Sequence, residues 1–296
     1  MGAVGMRALG GAERGETALG EREFGEREFG EPEPGMSALT VVVGDWRCDE
    51  PAYELLGRRE RAHAETLPAW RRREWCAGRL TARAALALHW GEPPRGLDIL
   101  RAPDGAPVLV QDLHGVHDPH GVRDPHRGHD LHGPVPPWAG CSVSLAHSYR
   151  LTACAVARTR VPIGVDIEYE HPRVAELLPR FTGPGESIPA AAATVAWACK
   201  EAAMKAAGVR PAAMAAYHCR LSARAGTAVV TPPGSSGLPP LTAWVEPVLG
   251  AVVATATAAT AGAERPRLVV RAGAEICRLS AGGSPPAAAA APGSTP

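Results

Sequence analysis

The chain has 296 residues, and because 31 are basic and 31 acidic its formal net charge is zero. This balance argues against a general nucleic-acid-binding protein, which normally has an excess of lysine and arginine. Hydrophobic residues make up 45% of the chain, a normal fraction for a globular protein. The seven scattered cysteines form no CxxC pair, which favours free thiols in a reducing compartment over disulfides or a zinc site. We therefore expect a cytoplasmic globular protein.

Three segments have compositions that are typical of disorder. Residues 1–39 contain the charged repeat GEREFGEREF, and residues 112–133 form a degenerate repeat of His, Asp, Gly and Pro. Residues 280–296 are rich in Ala, Gly, Pro and Ser. Such segments cannot bury enough apolar area to offset the entropy lost on ordering. We predict a disordered leader, a disordered insertion and a disordered tail.

The remaining sequence alternates between strand and helix patterns. In chain order we predict a strand at 40–43, helices from about 52 to 88 with a break near Pro68, paired strands at 141–145 and 151–157 around a turn at 147–150, a strand at 161–168, a helix at 190–207, and an antiparallel meander at 217–222, 241–246 and 250–257. This order is typical of an α+β protein. Two halves of similar design, at 40–158 and 159–279, would fit it, although the sequence alone does not show the symmetry.

The sequence GVDIE at 164–168 places two carboxylates in a strand. Side chains alternate across a strand, so Asp166 and Glu168 share one face, about 6.6 Å apart along the chain, while Ile167 points to a core. Two oxygen donors of this kind suit a hard cation such as Mg2+. An exposed acidic strand edge is the alternative interpretation.

The sequence WACKEAAMKAAG at 197–208 predicts a helix with one chemically active stripe. Trp197, Glu201 and Lys205 are spaced by four residues and so lie on one side of the helix, with Lys200 beside them. Glu201 could supply a third carboxylate to a metal, and the two lysines could face phosphate oxygens. The alternative is a solvated face with an ordinary Glu–Lys pair.

Basic side chains are concentrated upstream of these motifs. His147 is predicted at a turn, where it either donates to a phosphate or is an ordinary surface histidine. Arginine presents a planar fork that suits phosphate oxygens, but an arginine-rich helix is often only a solvated face. Between 58 and 83 the chain has eight arginines against three glutamates: Arg58, Arg59, Arg61, Arg71, Arg72, Arg73, Arg79 and Arg83 against Glu60, Glu65 and Glu74.

The pairing of GVDIE with a downstream WxxKEAxxKxxG resembles the signature of the 4'-phosphopantetheinyl transferases. The AGRLTAR and SLAHS segments, in the same order, are similar to the larger monomeric class that activates peptide and polyketide synthases. The resemblance covers about 41–111 and 134–260. It implies a pseudo-twofold pair of α+β halves, each with a helix on a small antiparallel sheet, and coenzyme A in the cleft between them.

The resemblance also implies the activity, that of a holo-acyl-carrier-protein synthase. The enzyme moves the 4'-phosphopantetheine group of coenzyme A to a serine hydroxyl of an apo acyl or peptidyl carrier protein and releases 3',5'-ADP. The reaction depends on Mg2+, for which Mn2+ can substitute. A monomer is expected, because one chain supplies both halves of the cleft.

Particular residues match the family's functional positions. By this resemblance Asp166, Glu168 and Glu201 hold the metal, and Glu201 is also the candidate general base. Lys205 lies near the coenzyme A phosphates and, with Glu201, is expected to be catalytic. The other residues expected to bind coenzyme A are His147, Lys200, Arg79 and Arg83.

The chain departs from the family pattern beside the histidine. Ala146 stands where the family often has a hydroxyl residue, and Tyr149 stands where glycine is common. Either change could weaken a phosphate contact. Ala146 and the insertion also motivate a second hypothesis, a catalytically silent carrier-binding scaffold with the same fold. A third hypothesis, a histidine-rich metal-handling protein, rests on the six histidines of the insertion: His114, His117, His120, His126, His129 and His132.

Overall fold

A computed structural model describes residues 39–47, 49–91, 97–111, 138, 140–158, 161–208, 211–222, 226–258 and 265–282. The predictions for the leader and the tail fall almost wholly outside these residues. The predictions for the 112–133 insertion, including metal binding by its histidines, lie entirely outside them.

The first half of the chain forms a strand, two helices and four further strands. Their bounds are β1 (Leu39–Asp45), α1 (Arg58–Glu65), α2 (Ala69–Trp90), β2 (Leu97–Arg101), β3 (Pro107–Gln111), β4 (Ser142–Ser148) and β5 (Leu151–Ala157). The predicted break near Pro68 is confirmed, because Pro68 has extended dihedral angles and caps α2. Gly91 ends this helix in the left-handed conformation, with φ of 83°.

The second half repeats a similar sequence of elements. It contains β6 (Ile163–Tyr169), α3 (Pro172–Glu176), α4 (Leu178–Phe181), α5 (Ala193–Ala206), β7 (His218–Leu221), β8 (Thr227–Thr231), β9 (Leu241–Val248), β10 (Ala251–Ala258), β11 (Arg267–Ala272) and α6 (Gly273–Ser280). The strands predicted at 161–168, 217–222, 241–246 and 250–257 and the helix at 190–207 are confirmed. The strands β2, β3, β8 and β11 and the helix α6 were not predicted.

In the described part of the chain the strands form sheets of four, five and two strands. Their orders are β11-β1-β5-β4, β6-β10-β9-β8-β7 and β2-β3. In the first of these sheets β1 pairs antiparallel with β5, which pairs antiparallel with β4. In the second, β6 pairs antiparallel with β10, which pairs antiparallel with β9. Strand β11 returns to the first sheet and runs parallel to β1. The α+β class is therefore observed, with one half's order of strands repeated in the other.

Alternation along the strands sends neighbouring side chains into different cores. On β1, Val42 packs against α2 and α6, while Val41 faces a central core shared by both large sheets. On β10, Val252 packs against α5, while Val253 joins the central core. The described residues thus bury apolar side chains under each helical layer and between the sheets. No described helix is long and apolar enough to cross a membrane.

A buried histidine near the end of α2 makes the fold sensitive to acid. The Nδ1 atom of His89 is 2.8 Å from Thr40 Oγ1, and its Nε2 atom is buried without a hydrogen-bond partner. Burial, reinforced by the charge of Arg158, lowers the pKa of His89 to about 4. In the unfolded chain a histidine has a pKa of about 6.5, so the unfolded state takes up the proton first as the pH falls.

We predict that the free energy of unfolding falls between about pH 6.5 and pH 4, by up to about 1.4 kcal/mol per pH unit from this group. Urea titrations at several pH values measure this slope. The slope should be shallower in His89→Leu, which has no proton to bind, and unchanged in His218→Gln, which alters an exposed histidine on β7. Equal slopes in His89→Leu and the unsubstituted protein would contradict the assignment.

Candidate active site

Strand β6 presents its acidic side chains to helix α5. Val165 and Ile167 are buried in the central core, so Asp166 and Glu168 face the opposite way, as the alternation predicts. Gly164 lies on this same face, where an added Cβ would stand 1.8 Å from the carbonyl oxygen of Ala202. Only glycine permits this approach of the α5 backbone to β6. The approach brings α5, with its acidic and basic side chains, against the carboxylates of the strand.

Lys205 is the cation that meets these carboxylates directly. Its Nζ atom donates to Asp166 Oδ1 at 2.7 Å and to the carbonyl oxygen of Val165 at 3.0 Å. The same ammonium lies 3.9 Å from Glu201 Oε2. The predicted convergence of Asp166, Glu201 and Lys205 is therefore observed as a contact between β6 and α5.

The carboxylates carry more negative charge than Lys205 can balance. Burial raises the pKa of Asp166, against the opposing effect of the Lys205 charge. Burial and the charge of Asp166 raise the pKa of Glu168 to about 7, and the same two causes raise the pKa of Glu201 to about 7. We call Asp166, Glu168 and Glu201 the acidic cluster. With all three carboxylates ionised and Lys205 charged, two negative charges would remain uncompensated. Such a group binds protons or further cations readily.

The carboxylate oxygens of Asp166, Glu168 and Glu201 are suitable ligands for a hard divalent cation. Their side chains are not, however, arranged as a preformed metal site. Within the described ranges, no group of three or more His, Cys, Asp or Glu side chains could hold a metal ion as they stand. However, Asp166 Oδ2 is buried with no hydrogen-bond partner. An orphaned buried carboxylate oxygen is costly, and a cation would remove that cost. Oxygen atoms of carboxylates are the ligands that Mg2+ prefers.

The end of β4 brings a second group of polar residues to the edge of β6. Ser148 Oγ donates to Glu168 Oε2 at 3.3 Å, and this hydrogen bond connects β4 to the acidic cluster. The neighbouring His147 accepts a hydrogen bond at Nε2 from Arg71 on α2, at 2.9 Å, and lies 3.5 Å from Glu74. Because arginine only donates, Nε2 is the acceptor in the contact with Arg71.

The electrostatic surroundings of His147 agree with a neutral ring. Burial is the main cause that lowers its pKa, and the charges of Arg71 and Lys205 act in the same direction. Glu74 opposes this shift but is itself paired with Arg71 at 2.8 Å. His147 directly precedes Ser148, whose hydroxyl group donates to Glu168.

The two departures from the family pattern have different structural consequences. Tyr149 occupies the two-residue turn between β4 and β5 with φ of 51°, in the left-handed region that favours glycine. The hairpin nevertheless forms, and the Tyr149 ring packs edge-on against Tyr169 at 5.5 Å between centroids. Ala146 is buried in the central core, on the face of β4 opposite His147. A hydroxyl group at 146 would therefore enter that core.

Three predicted coenzyme A ligands have partners elsewhere. Lys200 is fully buried, and its Nζ atom donates to the carbonyl oxygen of Phe181 at 2.7 Å and to Glu186 at 2.5 Å. Arg79 donates to the carbonyl oxygen of Ile99 at 2.6 Å and stacks on an indole ring of α2. Arg83 pairs with the fully buried Glu60. These contacts hold secondary structure elements together, and none of them reaches the acidic cluster.

Most of the other arginines near α2 also bind the protein's own backbone. Arg72 donates to three carbonyl groups between 64 and 67, and Arg73 donates to the carbonyl groups of Trp46 and Asp49. Arg71 is the arginine that contacts His147, and the sequence did not distinguish it from its neighbours. Its spacing of three from Glu74 on one helical face was the available signal.

A separate cavity of ≈ 400 Å³ lies beside α2. Tyr53, Arg72 and Cys76 are among the residues that line it, and no residue of the acidic cluster does. The hydroxyl group of Tyr53 and the guanidinium group of Arg72 are already engaged within the protein. This cavity therefore supplies no part of the candidate site.

Comparison of the chain with protein-family models gives no match. A search of curated proteins also gives no significant match.

We predict that Gly164→Ala disrupts the site by forcing α5 away from β6. Overpacking of this kind costs about 1–3 kcal/mol, and the Lys205–Asp166 contact should lengthen. Gly78→Ala is the matched control, because a Cβ on this helical glycine would meet nothing within 4 Å. That change should be neutral or stabilise the protein by up to about 1 kcal/mol through helix propensity. Chemical denaturation measures both; equal stability in the two variants would contradict the close approach.

Proposed function

We propose that this protein is a 4'-phosphopantetheinyl transferase that modifies a serine of an apo acyl or peptidyl carrier protein. The observation that carries the proposal is the meeting of Asp166, Glu168, Glu201 and Lys205 with Ser148 at the edge where β4 lies beside β6. The sequence motifs that resemble the family supply just these residues, from both halves of the chain. The proposal requires these residues, which are distant in sequence, to lie close together, and they do.

The repeated strand order supports the fold that the proposal requires. The orders β1-β5-β4 and β6-β10-β9 are equivalent, and a long helix packs on each sheet. A pseudo-twofold pair of halves would place a substrate cleft between them, beside the β4 and β6 edges. Under the proposal a single chain holds the whole site, so a cytoplasmic monomer is the expected form.

The proposed substrate, coenzyme A, is anionic, and different residues of the site would neutralise different phosphate groups. Asp166, Glu168 and Glu201 would hold Mg2+, which when bound would neutralise pyrophosphate oxygens and polarise the reacting phosphoryl group. Lys205 adds an ammonium group beside the same carboxylates, suited to the charge that gathers on the leaving group. Arg71 and His147, which contact each other next to the end of β4, would receive the 3'-phosphate. Arg71 would then exchange its contact with Glu74 for one with that phosphate.

The reaction needs no nucleophile from this chain. The serine oxygen of the carrier bonds to the β-phosphorus of coenzyme A, the bond to the bridging pyrophosphate oxygen breaks, and 3',5'-ADP leaves with the electron pair. The serine proton passes to a base. Glu201 is the candidate group to accept it, because its carboxylate lies beside Asp166 and Lys205 in the cluster. Positioning and charge neutralisation account for the rest of the catalysis.

We predict transfer of one phosphopantetheine group to an apo carrier protein in the presence of coenzyme A and Mg2+, detected by intact mass spectrometry. A Mg2+-free sample should show no mass gain. Asp166→Asn and Glu201→Gln should each lower the rate by about 100-fold or more, because each removes a charge from the cluster. Glu170→Gln, which alters an exposed carboxylate two residues after Glu168, should retain the rate.

Full activity in both cluster variants would contradict the proposed mechanism. A second candidate function, a silent carrier-binding scaffold, is favoured by one observation: Asp166 already has a counter-charge in Lys205, at 2.7 Å. A folded protein that binds peptidyl or acyl carriers in calorimetry but transfers nothing would establish that second function instead.

We predict that Mn2+, used as a probe for the divalent site, raises the melting temperature. A ligand at about 100 times its dissociation constant adds about 2.7 kcal/mol to the free energy of unfolding. Asp166→Asn should lose most of this gain because it removes a ligand and leaves Glu168 and Glu201 alone, whereas Glu170→Gln should keep it. Differential scanning fluorimetry measures the shift, and an equal gain in Asp166→Asn would show that Mn2+ binds elsewhere.

A further inference from the structure

A buried glutamate joins three elements in the second half of the chain. Glu186 Oε1 accepts a hydrogen bond from the backbone N–H of Cys219 on β7, at 2.6 Å. Its Oε2 atom accepts from Lys200 on α5, at 2.5 Å, and from the backbone N–H of Gly183, at 2.9 Å. The side chains of Lys200 and Glu186 are 0% and 3% exposed. The pair therefore fixes α5 against β7 and the segment that precedes α5.

The first half contains the same arrangement. Glu60 Oε1 accepts from the backbone N–H of Ile99 on β2, at 2.8 Å. Its Oε2 atom accepts from Arg83 on α2 and from the backbone N–H of Gly57, the latter at 2.7 Å. Arg83 also donates to the carbonyl oxygen of Leu97. This second pair fixes α2 against β2 and the start of α1.

The two arrangements match contact by contact. In each, a glutamate accepts from the glycine three residues before it, from a backbone N–H of the next strand, and from a basic residue of the long helix. That basic residue also donates to a backbone carbonyl group. We call each arrangement a clamp: Glu60–Arg83 is the first clamp and Glu186–Lys200 the second. The glycine spacing is visible as Gly57-Arg-Arg-Glu60 and Gly183-Pro-Gly-Glu186.

The second clamp lies on the same helix as the candidate site but on a different side of it. Lys200 precedes Glu201 in α5, and successive helical residues point about 100° apart. Lys200 is held on one side of the helix by Glu186, while Glu201 and Lys205 face β6 on another. Rotation of α5 about its axis would move all three side chains together. The clamp therefore limits the rotation and sliding that would displace Glu201 from Asp166.

We propose that Glu186 and Lys200 are positioning residues for the acidic cluster, a role that rests on the proposed function of that cluster. The first clamp holds α2, whose site contact is made by Arg71, about three turns of helix from Arg83. Loss of the second clamp should therefore affect metal binding and turnover. Loss of the first should affect stability, with at most an effect on the KM for coenzyme A.

A variant that recovers stability without the charge pair distinguishes a role in positioning the acidic cluster from a purely structural role. Lys200→Met alone leaves Glu186 buried and unpaired, so its melting temperature should fall sharply. In the double variant Lys200→Met with Glu186→Gln no charge is left buried, and much of that loss should be recovered. The first-clamp double variant, Arg83→Met with Glu60→Gln, is the matched control.

Mn2+ dissociation constants are measured by calorimetry, and kcat and KM by the mass-spectrometric transfer assay. The second-clamp double variant should bind Mn2+ about 10-fold more weakly and lower kcat by about 10-fold, with KM for coenzyme A within about 2-fold; outer-sphere changes commonly have effects of this size. The first-clamp double variant should keep the Mn2+ dissociation constant and kcat.

The outcomes distinguish this proposal from the function on which it rests. A folded second-clamp double variant with unchanged Mn2+ affinity overturns positioning, even if transfer occurs. Weakened Mn2+ binding in that variant supports positioning, even if no carrier is ever modified and the transferase function fails. Equal losses in both double variants, or no Mn2+ binding by the unsubstituted protein, overturn positioning as well.

Discussion

The close contact between β6 and α5 at Gly164 is the constraint on which the candidate site depends. A side chain at this position would collide with the backbone of α5 at Ala202. Because the helix lies so close to the strand, Lys205 can reach both the Asp166 carboxylate and the Val165 carbonyl group. The same closeness buries Asp166 and raises its pKa. One missing Cβ atom thus sets both the geometry and the electrostatics of the cluster.

Buried charge pairs complement this contact in a protein whose helices are rich in alanine. Alanine allows elements to approach closely but offers few interlocking shapes to define how one helix is rotated against a sheet. The glutamate of each clamp meets that need with directed hydrogen bonds to a strand, a glycine turn and a helix. Buried pairs of this kind contribute little net stability compared with apolar substitutes of similar volume.

Local patterning accounted for the elements that sequence analysis predicted. The apolar run at β1, the alternation in β6 and the helical pattern of α5 are signals carried by neighbouring residues, and each is confirmed. Strand β11 was missed because its pairing with β1 joins residues more than 200 positions apart and its own pattern is weak. Helix α6 is short and directly precedes the segment whose composition suggested a tail.

The sequence by itself determined which side chains could act together over short distances. Spacings of two in a strand and four in a helix placed Asp166 with Glu168 and Glu201 with Lys205, because backbone periodicity dictates which side chains share a face. Tertiary structure decided which partner each of the other basic residues meets. Arg71 meets His147, whereas Lys200, Arg79 and Arg83 are buried with partners from other elements. A buried charged side chain must pair with a carbonyl group or a carboxylate, and here that partner comes from a segment distant in sequence. The local sequence pattern therefore does not predict which partner it is.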